Sequence, residues 1–352
     1  MFPVALRRER SRTLDPLPDN DDRRLTTLQK PDEAEAEAVR RFRNLALLLV
    51  VIAALLAVAL CVAFRVRVDP SGSSMVELGL AALLVLSMMW RIQPRMERIA
   101  HALGTVGVAS VGGLCCGAFA MLELRLGFPM ADGWLRRADL AFHMDAIQVL
   151  AMIGRHRDAL IQLLAPVYNN TLELFFGSLI VLSLLGHRVE AWRGALCFVG
   201  TLLTTCSIAA FMPATGLINW APPDLLVHLP QAFVAHFTEF YYGADPVLRL
   251  QVIDGTISFP LFHAVVGFLI FSMWRQWMVT RVAAATWLAV ELLSTVAGGH
   301  YIVDLFGGFA VWAGWFALSR RIERSSGASE KIADRRSAAA YPTAAEATVP
   351  ST

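Results

Sequence analysis

Two histidines and an aspartate carry the chemistry that this sequence could perform. His263 lies in SFPLFHA (258–264), His300 in GGHYIVDLFGG (298–308), and Asp304 follows His300 by four residues. That spacing stacks two side chains on one face of a helix. Asp304 can then accept a hydrogen bond from one ring nitrogen of His300, fixing the tautomer and leaving the other nitrogen basic and nucleophilic. His263 is left free to protonate a departing oxygen. The bland alternative is a hydrogen-bonded His–Asp pair at a helix start, with His263 an ordinary interfacial histidine. Ser258, two residues before Pro260, reads as a helix cap with no part in the chemistry.

For these residues to meet, the chain must bring two distant segments together. Composition says how: 56% of residues are hydrophobic and only 17% charged, against about 25% charged in soluble proteins. A hydrocarbon core about 30 Å thick takes about 20 helical residues to cross. Runs of that kind predict an all-α, polytopic transmembrane bundle of about eight crossings, near 44–64, 75–90, 99–123, 159–186, 192–212, 258–274, 282–299 and 303–319. From His263 the chain runs inward, turns between Arg275 and Arg281, and returns, so His300 arrives at the membrane level of His263.

Arginine placement orients the bundle, since cytoplasmic flanks are enriched in Lys and Arg. Arg40, Arg41 and Arg43, then Arg91, Arg95 and Arg98, Arg188 and Arg193, Arg275 and Arg281, and Arg320, Arg321 and Arg324 fall on alternate connections. Both termini are therefore expected in the cytoplasm, and the two histidines on the periplasmic or exterior face. Arginine in preference to lysine and alanine-rich tails point to a bacterial inner membrane. No signal peptide is read at the amino end, so the first apolar run is expected to stay as an anchor.

The domain reading is a cytoplasmic, disordered or loosely helical tail at 1–43, a pair of helices at 44–98, a six-helix core at 99–319 and a second disordered tail at 320–352. Segment 124–158 interleaves Leu135, Leu140, Phe142, Ile147 and Leu150 with charges, predicting amphipathic helices able to cap a site on that side. Its acids Asp132, Asp139 and Asp145 are expected on a solvated face. The basic residues sit beside apolar runs and form no nucleic-acid-sized patch. The five cysteines lie inside apolar segments without zinc-ligand spacing, so no metal site is read.

SFPLFHA and GGHYIVDLFGG resemble the second and third signature motifs of the type 2 phosphatidic acid phosphatase superfamily. HYIVDLFGG, with FMPATG (211–216) and MADGWLRRADLAFHMD (130–145), is similar to its inositol phosphorylceramide synthase branch. The resemblance spans roughly 99–319 and implies a lipid phosphatase or phosphotransferase, its substrate a membrane lipid and its acceptor water or a small alcohol such as inositol. It further implies that His300 becomes a phosphohistidine, that Asp304 orients it and that His263 is the general acid, with no cofactor. The superfamily pattern has a serine where this chain has Leu261 and an arginine where it has Ser294. Gly298 and Gly299, as backbone donors, and Arg249 are therefore the expected phosphate contacts, with Arg136, Arg137, Arg155 and Arg157 as further cations. A transporter using the His/Asp cluster as a proton or ion relay, or a lapsed family member, are the rival readings.

Overall fold

The computed structural model describes residues 20–69, 79, 85, 96–155, 164, 166–226, 229, 231–249 and 257–325. These residues are overwhelmingly helical. In chain order the helices of ten residues or more among the described residues are α1 (Asn20–Ala63), α2 (Glu97–Glu123), α3 (Asp132–Ala141), α4 (Ala146–Arg155), α5 (Thr171–Leu184), α6 (Arg188–Phe211), α7 (Ala232–Tyr242), α8 (Phe262–Trp274), α9 (Met278–Ser294) and α10 (Val303–Ser325). Two three-residue strands, β1 (Arg67–Asp69) and β2 (Val247–Arg249), pair in parallel with Val68 opposite Leu248.

Among the described residues, three stretches, Glu33–Ala63, Glu97–Leu126 and Arg188–Asn219, are long and apolar enough to cross a membrane. In α1 the reason is visible in the residue pattern. Ala46, Leu49, Ala53 and Ala57 recur at helical spacing and are buried, whereas Leu48, Val51, Leu55 and Val58 on the other face stay exposed. Small residues let helices approach closely, and an apolar outer face is what lipid contact selects. Helix α6 is buried nearly all round and packs against α1, α2, α5, α8 and α10, so it forms the axis of the bundle.

The predicted crossings at 44–64, 99–123, 159–186, 192–212, 258–274, 282–299 and 303–319 each contain a helix, while 75–90 lies almost entirely outside the described residues. The expected tail boundary at residue 43 is not a helix end, because α1 runs unbroken from Asn20. A helix already nucleated by an apolar run extends at little cost, and Glu37 helps by pairing with Arg41 four residues on. At the other end of the chain, α10 continues through Ser325.

Charged residues gather at one end of the bundle. Arg193 at the start of α6 and Arg320 both reach Glu323, at 3.0 and 2.8 Å, and Arg41 donates to Ser325 at 2.8 Å. Arg188 also pairs there with Glu35 and Glu97. Glu323 is almost fully buried, and its two guanidinium partners offset the cost of removing a carboxylate from water. His263, at the start of α8, and His300, in the loop just ahead of α10, stand at the other end of the bundle.

At that opposite end, α3 and α4 form the expected amphipathic cap. Leu135 and Leu150 turn inward, and Leu140 and Phe142 remain exposed. Leu135 and Leu150, together with Ala214, Leu217, Val296 and Tyr301, form a small core over the loop that carries His300. The expectation of a solvated acidic face fails for two of the three acids: Asp132 is 3% exposed and Asp139 2%. Asp145 instead accepts from the Ile147 N–H at 3.0 Å at the start of α4.

Candidate active site

The two histidine segments are bound to one another through their backbones. The Leu261 N–H donates to the Asp304 carbonyl at 3.1 Å. Close approach of α10 to this segment requires Gly308, where a Cβ would lie 2.6 Å from the Leu261 carbonyl oxygen. Helix α8 begins at Phe262 behind an extended Leu261 that makes no side-chain cap, so Ser258 does not cap it. Ser258 faces the other segment instead.

His300 sits in the loop between α9 and α10, outside both helices, so the helix-face argument for its pairing with Asp304 does not hold. A turn makes the contact: the Asp304 N–H donates to the Tyr301 carbonyl at 3.2 Å, and the carboxylate comes back beneath the imidazole. His300 Nδ1 lies 3.1 Å from the Ser258 carbonyl oxygen and 3.4 Å from Asp304 Oδ2. A carbonyl can only accept, so Nδ1 carries the proton and Nε2 keeps its lone pair. Asp304 is fully buried, and its Oδ2 also accepts from the Tyr301 N–H at 3.0 Å and the Ser258 hydroxyl at 3.2 Å. Burial pushes the His300 imidazole down to about 4 against the upward pull of the Ser258 carbonyl, which keeps the ring neutral near pH 7.

Nε2 faces Tyr168. The phenol oxygen is 3.2 Å from Nε2, and the Tyr168 ring stacks on His263 with centroids 4.1 Å apart and planes 18° from parallel. Both imidazoles therefore touch one side chain. Gly298 makes room for it, since a Cβ there would lie 2.9 Å from the Tyr168 ring.

The cap's buried acids hold the loop from the other side. Asp139 accepts from the Ile302 and Val303 N–H groups at 3.0 and 2.7 Å, satisfying donors at the start of α10. Asp132 accepts from the Gly216 N–H at 2.9 Å and the Tyr301 hydroxyl at 3.0 Å. Burial pushes both carboxyls upward from the ordinary aspartate value, and these donors pull them back. FMPATG joins the same cluster, because the Leu217 N–H donates to the Gly299 carbonyl at 2.8 Å. Gly216 has φ +76°, and a Cβ on it would lie 2.2 Å from that carbonyl oxygen. The three motif stretches thus converge on the His300 loop.

A sequence model of the PAP2 superfamily matches residues 133–318, just over half of the chain. The chain belongs to the PAP2 superfamily. Membership supports phosphatase or phosphotransferase chemistry in a membrane protein. No curated protein and no solved structure matches the chain. The match runs from α3 through most of α10, starting later than the resemblance read from residue 99 and leaving α1 and α2 ahead of it.

Within this PAP2 chain the structure brings His263, His300 and Asp304 together as the sequence predicts. Gly298 packs against Tyr168, and the N–H groups of Gly298 and Gly299, expected as phosphate donors, donate to the Ser294 and Val296 carbonyls at 2.9 and 3.0 Å. Arg249 ends β2, away from the His300 loop in its contacts, and pairs with Glu239 at 3.3 Å. Arg136 stands over the Trp220 ring, 4.6 Å from its centroid. The Arg155 side chain and all of Arg157 lie outside the described residues. The residue pattern does not single out Tyr168, reads Ser258 as a helix cap, and places Asp132 and Asp139 in solvent. A signal for the acids was present: Asp132, Leu135 and Asp139 fall at i, i+3 and i+7, one helix face that includes an apolar residue. Tyr168 has no comparable spacing.

Proposed function

We propose that this protein is an integral membrane lipid phosphatase or phosphotransferase that works through a phosphohistidine. The observation that carries the reading is the state of His300. Its Nδ1 proton is committed to the Ser258 carbonyl with Asp304 behind it, so Nε2 presents a lone pair toward the Tyr168 hydroxyl, whose ring stacks on the second imidazole, His263. In the forward step that lone pair bonds to phosphorus, the bond from phosphorus to the ester oxygen breaks, and the ester oxygen takes its electrons and a proton from His263. His300 is then an imidazolium carrying phosphate, with Asp304 as its counter-charge. In the second step water or an alcohol attacks phosphorus, loses its proton to His263, and returns the electron pair to Nε2.

The substrate is a lipid phosphate or phospholipid head group, on the face opposite the arginine-rich end, which we assign to the periplasm or exterior. Similarity of HYIVDLFGG to the inositol phosphorylceramide synthase branch supports inositol as the acceptor. The eight-crossing topology with a six-helix core belongs to the same proposal. The test is purified protein in detergent incubated with a panel of lipid phosphates, with and without inositol, followed by product mass spectrometry. Dephosphorylated lipid or an inositol phosphate product is expected, and both should vanish in His300→Ala. A complete panel without turnover would contradict the reading.

A further inference from the structure

The proposed chemistry uses His300, Asp304 and His263, yet the side chain hydrogen-bonded to the reactive nitrogen is none of these. Tyr168 places its hydroxyl 3.2 Å from His300 Nε2. Because Nδ1 holds the ring's proton, Nε2 is the acceptor and the phenol is the donor. The position of that hydroxyl is set from two sides, by the stack on His263 and by the wall at Gly298.

We infer that Tyr168 is a catalytic residue, whose hydroxyl hydrogen-bonds the phosphoryl group while it is transferred to and from His300. The inference rests on the reading given under Proposed function. Phosphorus has to approach Nε2 through the space where the phenol proton now points. Once the lone pair is committed to the N–P bond, Nε2 no longer accepts, and the nearest acceptors for the Tyr168 O–H are the non-bridging oxygens on phosphorus. The donor passes from nitrogen to a phosphoryl oxygen without the ring leaving its stack. Tyr168 keeps its proton throughout: the electron pair moves from Nε2 to the N–P bond, the ester oxygen leaves with the P–O electrons, and the proton on that oxygen comes from His263. When the acceptor attacks, the pair returns to Nε2 and the phenol donates to nitrogen again. A fixed donor aimed where charge accumulates favours the transition state over the ground state. The stack has a second effect, holding the His263 ring in one plane while it gives up its proton.

Tyr168→Phe removes the hydroxyl and retains both the stack and the fit against Gly298. With a short-chain phosphatidic acid in mixed micelles, kcat should fall by about 10²-fold, the scale seen when one fixed donor to a developing anion is removed, while KM changes little. Orthovanadate, which takes up the five-coordinate geometry of the transfer, should inhibit the variant more weakly by a similar factor, and inorganic phosphate should inhibit both proteins alike. A variant with wild-type kcat, or one whose vanadate and phosphate inhibition weaken together, overturns the role given to Tyr168. His300→Ala is run beside it. If that variant is inactive and Tyr168→Phe is unimpaired, only the inference about Tyr168 fails; if His300→Ala turns over, the phosphohistidine reading fails with it.

Discussion

Replacing Asp304 by Asn keeps the shape of a fully buried side chain and removes its charge. The structure says what should be lost. The His300 tautomer is held by the Ser258 carbonyl at 3.1 Å, so the substitution leaves Nε2 as the nucleophilic nitrogen. An amide oxygen at the place of Oδ2 can still accept from the Tyr301 N–H and the Ser258 hydroxyl. What disappears is the attraction between the carboxylate and the imidazolium that forms when Nε2 bonds to phosphorus. At the 3.4 Å separation of Nδ1 and Oδ2, and with an effective dielectric constant of about 20, Coulomb's law gives about 5 kcal/mol as a ceiling. With each factor of ten corresponding to about 1.4 kcal/mol, formation of the intermediate should slow by up to about 10³–10⁴-fold. The assay is single-turnover phosphorylation with excess enzyme and a phosphorus-labelled lipid phosphate, with melting temperature as the folding control. A folded Asp304→Asn protein that is phosphorylated within about threefold of the wild-type rate would refute the counter-charge argument.

Other consequences follow from the cap and the loop it holds. Asp139→Ala leaves the Ile302 and Val303 N–H groups without an acceptor at the start of α10, at about 1–3 kcal/mol for each donor that stays buried, so both melting temperature and activity should fall; unchanged values for both would exclude the tether. Gly216→Ala forces a Cβ against the Gly299 carbonyl at 2.2 Å, and with φ +76° the backbone cannot relax easily. Activity should drop sharply even where the protein still inserts, and a variant of wild-type activity would show that this loop contact does not position His300. For topology, single cysteines at Ala244 and Ser325, in a chain with the five native cysteines replaced, should react oppositely with an impermeant thiol reagent on intact cells; labelling of position 325 alone would reverse the orientation.

The membrane helices were legible because lipid imposes length and apolarity on every crossing residue, and these appear directly in the sequence. The charged first half of α1 was not, since helicity there is inherited from the apolar half and supported by local pairs such as Glu37 with Arg41. At the site, the side-chain inventory gave His263, His300 and Asp304. It also gave the right pairing by a mistaken route, as a turn and not a helix face brings Asp304 under His300. The main partner of Nδ1 is a backbone carbonyl at Ser258, and backbone acceptors leave no trace in a pattern of residue types. Asp132 and Asp139 were misplaced for a related reason: they satisfy backbone N–H groups of loops more than 80 residues away, a demand set by tertiary structure alone. Tyr168 was invisible because its partners His263 and His300 lie on other elements, and only folding brings all three together.

In the proposed reaction phosphorus becomes bonded to His300. Wild-type protein mixed with a phosphorus-labelled lipid phosphate under single-turnover conditions and quenched rapidly in alkali should retain label on the chain. Because a phosphoramidate to imidazole survives base and is cleaved by acid, the same sample treated with acid should release that label. Peptide mass spectrometry should place the added phosphate on His300, and His300→Ala should show neither label nor turnover. Active wild-type protein that never retains acid-labile label, together with a His300→Ala variant that still turns over, would contradict a phosphohistidine intermediate at His300.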